Sequence, residues 1–363
     1  MNRKKLAFII PSLKAGGAER VVSTLSNQLI NTFDVVIIVL YNCTPFYAID
    51  KRVEIYFCKE YSNTLTFTNS IRNHFDLMKK CKKFIKNSNA DIILGFTTTA
   101  NIYSVLISKR INLPSIISER IHPDYNIVNH FWNIIRKAIY PKSNALVVQT
   151  HEIRNYFLSF IDEKKVVIIN NPLAEELVGQ IKRDASKVNH IICVGRLDLQ
   201  KNQELLIRAF SNIKRKDWKL ILIGEGQLRA DYEKLIMDLN IVESVELAGN
   251  VYDVSKYYNT AKIFVLPSNF EGFPNALIEA MSFGLACIAT NCPSGPSEII
   301  KDNENGFLIP VNDQKELEKK LQLLVDNTEL QKQFSLKAIE SASIFDAAYI
   351  ADNWKELIHK VLK

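Results

Sequence analysis

At 363 residues the chain is longer than one ordinary α/β core, which points to two domains of roughly 150 to 190 residues or to one large barrel. With 47% hydrophobic and 23% charged residues and only 12 Gly and 11 Pro it can bury a sizeable core, which excludes a disordered, collagenous or low-complexity protein. The net charge of +7 is uneven: residues 1–170 hold 23 Lys and Arg against 12 Asp and Glu, a net of +11, and the remainder holds 23 against 27, a net of −4.

The opening Met1–Leu13 imitates a signal peptide, but its apolar run is short, is cut by Pro11 and leads into the polar Lys14–Arg20, so a first strand is expected at Leu6–Ile10. A helix from Ala18 to Asn31 follows, then strand-like runs at Val35–Leu40, Asp91–Phe96, Ser115–Ser118, Ala145–Val148 and Val166–Ile169. Apolar runs alternating with amphipathic stretches are the rhythm of a doubly wound parallel sheet. The polar stretch 171–188, broken by Pro172 and Gly179, reads as a linker between a domain over 1–170 and a second over 189–344. There the alternation restarts at Ile191–Gly195, Leu220–Gly224, Val245–Leu247, Ile263–Pro267 and Ala286–Thr290. A last helix, Phe345–Leu362, carries Trp354, Leu357, Ile358 and Val361 on one stripe and can pack back on the first domain. The six cysteines are scattered with no C-x-x-C pair, as suits a reducing cytoplasm, and no stretch approaches the roughly 18 apolar residues of a membrane-spanning helix.

Four strand exits carry the chemistry. Gly16 and Gly17 stand between the first strand and its helix, where missing Cβ atoms let amides approach a phosphate, or where they make a tight turn. Arg196 and Lys201 lie in Gly195–Asn202, placed to converge on an anion or to be solvated. The run Gly224-Glu225-Gly226 resembles the start of a dinucleotide fingerprint, but Arg229 stands where the third glycine belongs, which argues against a nicotinamide enzyme and favours a turn beside a nucleotide. After Pro267 comes Glu271, then Pro274 at the expected first helical position, with the amides of Asn275, Ala276 and Leu277 expected to be free for an anion. Glu279 sits about one turn beyond Asn275, so the two carboxylates can address different parts of one ligand, or serve as a helix-start and a surface glutamate.

The paired glutamates with seven residues between them, the loop Gly195–Asn202, the turn Gly224–Arg229, the stretch Ala248–Asn250 and the early Gly16–Arg20 together resemble the retaining family-4 glycosyltransferases, over nearly the whole chain. Within that family the likeness is to bacterial enzymes that extend lipid-linked oligosaccharides or surface polysaccharides. The resemblance implies a GT-B fold of two facing Rossmann-like domains with a cleft between them, and a nucleotide-diphosphate sugar, UDP-linked, as donor. It implies that Arg196 and Lys201 neutralise the donor diphosphate, that Glu279 holds the ribose and that Glu271 contacts the donor sugar, making Glu271, Arg196 and Lys201 the catalytic set. Gly16 and Gly17 would meet the same diphosphate, Gly224 and the helix start Asn275–Leu277 would adjoin it, and Val251 would lie near the base.

In many relatives a histidine follows Ser-Glu at the end of a first-domain strand, whereas here Ser118-Glu119 is followed by Arg120, with His122 two residues on. Glu119, Arg120 and His122 are therefore carried as acceptor-side candidates without a proton-transfer role for the histidine. No Asp-x-Asp triplet or metal-ligand spacing occurs, so no metal is expected, and the diphosphate charge falls to cations and helix-start amides. The segment Ile71–Lys86 sets Ile71, Phe75, Met78 and Phe84 or Ile85 on one stripe, with Arg72, Lys79, Lys80, Lys82, Lys83 and Lys86 around it. It suits an anionic leaflet, or else a core-facing helix with a solvated lysine face. Basic charge without interleaved aromatic residues argues against nucleic acid.

The expected protein is thus a cytoplasmic enzyme, peripheral on the cytoplasmic face of the membrane, with a nucleotide sugar and a polyprenyl-linked glycan as its partners. A sugar-nucleotide epimerase of the same fold and a non-catalytic nucleotide-sugar-binding protein are the alternatives.

Overall fold

The computed structural model describes residues 3–60, 67–124 and 130–363. The chain forms two compact units, Met1–Ala174 with Ala347–Lys363, and Glu175–Asp346. Of the stretch 171–188, the residues up to Ala174 go with the first unit and the rest with the second.

In the first unit the strands are β1 Lys5–Ile10, β2 Asp34–Tyr41, β3 Glu54–Lys59, β4 Ile92–Phe96, β5 Ser115–Ser118, β6 Ala145–Val148 and β7 Val166–Ile168. They make one parallel sheet in the order β3-β2-β1-β4-β5-β6-β7. Helices cover both faces, which is why β1 is buried along its length from Leu6 and carries no polar alternation. Phe8 and Ile10 point to one face, among Val21, Leu25, Ile350, Trp354 and Ile358 of the Gly17–Leu29 and Ala347–Leu362 helices. Ala7 and Ile9 point to the other, among Leu77, Cys81, Ile102 and Val105 of the Phe67–Asn87 and Thr98–Ile111 helices. The strand β3 goes beyond the runs read from sequence, because an edge strand bracketed by Glu54 and Lys59 shows little apolar signal.

The second unit contains β8 His190–Val194, β9 Lys219–Ile223, β10 Val245–Gly249, β11 Ile263–Leu266, β12 Ala286–Thr290 and β13 Phe307–Ile309, parallel in the order β10-β9-β8-β11-β12-β13. The three-residue β13 goes beyond the runs read from sequence. In each sheet the strand order reverses about the first strand, between β1 and β4 in one unit and between β8 and β11 in the other. Chain exits diverge at such a reversal and leave a crevice at the carboxyl ends of the strands, the position where open α/β sheets bind ligands.

Candidate active site

At the reversal of the second sheet the β8 exit supplies Lys201 and the β11 exit supplies Glu271. The Lys201 stem lies along Gly195, where a Cβ would stand 3.2 Å from its methylenes. Asp198 fixes the turn by accepting from the Lys201 amide at 2.9 Å, and Asn202 closes it in the left-handed region at φ 50°. Lys201 Nζ then donates to Glu271 Oε1 at 2.7 Å, and Ser268 Oγ donates to the same oxygen at 2.6 Å. Lys201 is half-buried and Glu271 buried, with 17% and 5% of their side chains exposed. The two loops are tied by Asn269 N to Gln200 O at 2.8 Å and Gln200 Nε2 to Phe270 O at 3.1 Å.

Arg196 departs from the expectation that it converges with Lys201. Its side chain is 73% exposed and lies against Asp198 at 3.3 Å and Gln200 at 3.3 Å. Water screens that pair, so it holds the guanidinium loosely.

Gly224 and Gly226 earn their places by close approach. Gly224, at φ 140°, donates to Gly249 O at 2.9 Å, and a Cβ there would strike the Gly195 carbonyl; one on Gly226 would strike Leu197. Leu197 N donates to Glu225 O at 3.0 Å, so the β8 and β9 exits stack directly. Arg229 ties down Glu225 at 2.5 Å and Glu233 at 2.8 Å, giving the would-be third glycine a local structural duty. Val251 is half-buried in the loop after β10.

The helix start after Glu271 differs from expectation. Pro274 occupies the cap and the helix runs Asn275–Ser282. The Asn275 amide donates to Phe273 O at 3.0 Å and the Leu277 amide to Pro274 O at 3.0 Å, so among the described residues only Ala276 of the three leaves its amide without a carbonyl. A tight 3₁₀-like entry after a proline satisfies these donors locally. Glu279 is 3% exposed and accepts from Tyr258 OH at 3.1 Å, so it belongs to the interior face of that helix. Ser268, Tyr258 and Ser294, whose Oγ donates to Gly272 O at 2.9 Å, support the site and were not singled out in the sequence. Ser268 had a signal in directly preceding the Asn-x-Glu-Gly run; Tyr258 and Ser294 had none.

In the first unit Gly16 is extended at φ 178°, and the Glu19 side chain folds over it with Ser12 Oγ donating to Oε1 at 3.1 Å. A carboxylate of the chain itself therefore stands where Gly16 and Gly17 were expected to offer open amides. Glu119 is buried and accepts from Tyr140 OH at 2.8 Å and Thr98 Oγ1 at 3.2 Å. Arg120, 7% exposed, donates to Asn171 Oδ1 at 2.5 Å and lies 4.9 Å from the Phe96 ring centre. Burial pushes its guanidinium down to about 9, still charged at neutral pH. His122 Nδ1 accepts from the Asp124 amide at 3.3 Å, and burial lowers its pKa against the pull of Glu152 and Asp124.

Residues 15–177 match the model for Glycosyltransferase Family 4 and residues 176–341 that for Glycosyl transferases group 1. A Campylobacter jejuni alpha-1,4-N-acetyl-D-galactosaminyltransferase acting on a GalNAc-GalNAc-diNAcBac-PP-undecaprenol is 30% identical, covering 98% of this chain and 99% of its own. This chain is a glycosyltransferase. A second Campylobacter jejuni relative, an N-acetylgalactosamine-N,N'-diacetylbacillosaminyl-diphospho-undecaprenol 4-alpha-N-acetylgalactosaminyltransferase, is 31% identical over 96% of this chain and 97% of its own. Anabaena HepE in complex with UDP superposes with a TM-score of 0.79 at 16% identity, over 98% of this chain and 100% of that one. The chain belongs to the glycosyltransferases of GT-B fold.

Elsewhere in this glycosyltransferase, the basic helix runs Phe67–Asn87 and its buried face is rotated from the expected stripe. Asn73, Leu77, Met78, Cys81 and Ile85 face inward while Phe75 is 60% exposed; the Ile71 side chain lies outside the described residues. Asn73 is held inside by Lys59 at 2.8 Å and by Tyr41 at 3.2 Å, which draws a polar residue into the buried face. Arg72, Lys79, Lys80, Lys83 and Lys86 are exposed and Lys82 is half-buried. Among the described residues no helix is long and apolar enough to cross a membrane, and no His, Cys, Asp and Glu group is placed to hold a metal.

Proposed function

We propose that this glycosyltransferase moves a sugar from a nucleotide-diphosphate donor, UDP-linked, to a polyprenyl-diphosphate-linked glycan with retention of the anomeric configuration. The observation that carries the reading is the Lys201–Glu271 pair at the reversal of the second sheet, a half-buried cation on a buried carboxylate supplied by the two diverging exits. Lys201 has ammonium hydrogens beyond the one given to Glu271, and Arg196 is free to swing from its exposed contact with Asp198. Together they would neutralise the diphosphate as the bond from the anomeric carbon to its oxygen breaks, the role the missing Asp-x-Asp metal motif leaves to side chains. Glu279 would accept from ribose hydroxyls and Glu271 from the donor sugar. The acceptor hydroxyl would attack from the side of the leaving group and pass its proton to the departing phosphate oxygen.

The names of both Campylobacter relatives support a lipid-linked acceptor, and the UDP held by HepE supports the donor class. The exposed cations of the Phe67–Asn87 helix, with Phe75 among them, support peripheral attachment at the cytoplasmic face, each cation adding about 1 kcal/mol near an anionic leaflet. Incubating the protein with a panel of sugar nucleotides and a polyprenyl-diphosphate glycan, with mass and anomeric NMR analysis of the product, tests the reading. One added sugar in the donor's anomeric configuration supports it; inversion, epimerised donor alone or UDP binding without turnover contradicts it.

A further inference from the structure

The neighbouring β4 and β5 exits of the first sheet hold a cavity of about 240 Å³, lined by Thr97, Thr98, Thr99, Glu119, Arg120 and Trp132 among others. The Thr98–Ile111 helix starts at its wall. Thr97 turns the chain there at φ 74°, unusual for a β-branched residue, and its side chain does not cap the helix. Among the described residues the amides of Thr98, Thr99 and Ala100 have no acceptor.

The charges around this cavity do not balance. Among the described residues Arg120 Nε and Nη2 are buried without an acceptor. Arg136, one helical turn beyond Trp132 and 1% exposed, interacts with the Tyr156 hydroxyl and meets no carboxylate among the described residues. It does not line the cavity; at Tyr140 and Tyr156 it lowers the pKa that Glu119 raises. Among the described residues Glu119 is the one buried carboxylate of this group, Asp124 being exposed, and its oxygens are already engaged by Tyr140 and Thr98. Two buried guanidinium groups against one carboxylate leave an uncompensated cation in the interior, which a fold sustains at considerable cost.

We propose that this cavity is a phosphoryl site, in which anionic oxygens meet the amides at the start of the Thr98–Ile111 helix and the guanidinium of Arg120. A sugar hydroxyl would bring acceptors without charge; a phosphoryl group brings both and suits a helix start. Stacking over Phe96 and, at 5.9 Å, over Trp354 fixes the plane of the Arg120 fork in advance. Identifying the phosphoryl group as the diphosphate of the lipid-linked acceptor rests on the function proposed above; the anion site itself does not.

The probe is inorganic diphosphate, titrated calorimetrically with UDP in excess to occupy the second unit. Thr99→Glu places a carboxylate at a helix start, which favours folding, and fills the anion position; Thr99→Gln is its neutral control. The wild type and Thr99→Gln bind saturably, while Thr99→Glu and Arg120→Gln, each verified as folded by circular dichroism, bind about tenfold weaker or less. With a polyprenyl-diphosphate acceptor, Thr99→Glu raises the acceptor KM about tenfold and leaves the donor KM unchanged if the lipid is the source. An unchanged acceptor KM beside lost diphosphate binding keeps the site for a free phosphate and removes the lipid. No saturable binding to the wild type, or equal binding to all variants, overturns the site. Absence of any glycosyl transfer while Thr99→Glu still blocks diphosphate binding would defeat the proposed function and leave the site standing.

Discussion

The two sheets reverse in the same way, but the strand exits that carry buried charge differ: β8 and β11 in the second unit, β5 in the first. In the second unit Lys201, Glu271 and Ser268 satisfy one another within 2.7 Å, so this centre is balanced before any ligand arrives. In the first unit the buried Arg120 and Arg136 outnumber the buried Glu119, and among the described residues Arg120 leaves Nε and Nη2 without acceptors. A balanced pair should reveal its role mainly when one partner is removed, whereas an unbalanced cluster should reveal its role when a ligand is added.

The sharpest way to break the comparison is Lys201→Ala. Turnover with saturating donor should fall on the order of a hundredfold. Stability should drop by about 3 kcal/mol because Glu271 is left buried and unpaired. Adding Glu271→Gln should recover much of the stability in urea denaturation and none of the turnover; recovery of both would make the pair purely structural. Trp354→Ala, which removes a fully buried ring packed on Phe96 and beneath Arg120, should cost about 3–5 kcal/mol in the same measurement. Arg196→Ala separates rate from stability: its exposed side chain should cost less than about 0.5 kcal/mol of folding while turnover still falls on the order of a hundredfold.

The smallest effect is one of pH. Burial depresses the His122 pKa below its ordinary 6.5, so the unfolded chain takes up the proton first. The stability this contributes is complete above pH 6.5 and declines as pH falls from there toward the folded value. His122→Gln should flatten part of that decline in thermal melts, while His74 and His190, depressed in the same direction by burial, keep the rest.

Much of this was legible because βα exits write their chemistry into contiguous residues. The loops Gly195–Asn202 and Pro267–Pro274 appear in the sequence as units, and Ser115–Ser118 and Ala145–Val148 are strands with the bounds their apolar runs set. Features decided by distant partners were illegible. Arg136 reads as one more solvated cation in a basic helix until the fold buries it, and Tyr258 meets Glu279 across 21 residues. The outward turn of Phe75 follows from Asn73 bonding to Lys59 and Tyr41, a choice that apolar periodicity does not encode.

The central claim is that Lys201 and Arg196 carry the charge of a departing nucleotide diphosphate. A crystal structure of the chain with UDP tests it most directly. Diphosphate oxygens are expected within hydrogen-bond distance of Lys201 Nζ and the Arg196 guanidinium, with ribose hydroxyls on Glu279; UDP bound away from the β8 and β11 exits, or held there through a metal ion, would rule this role out.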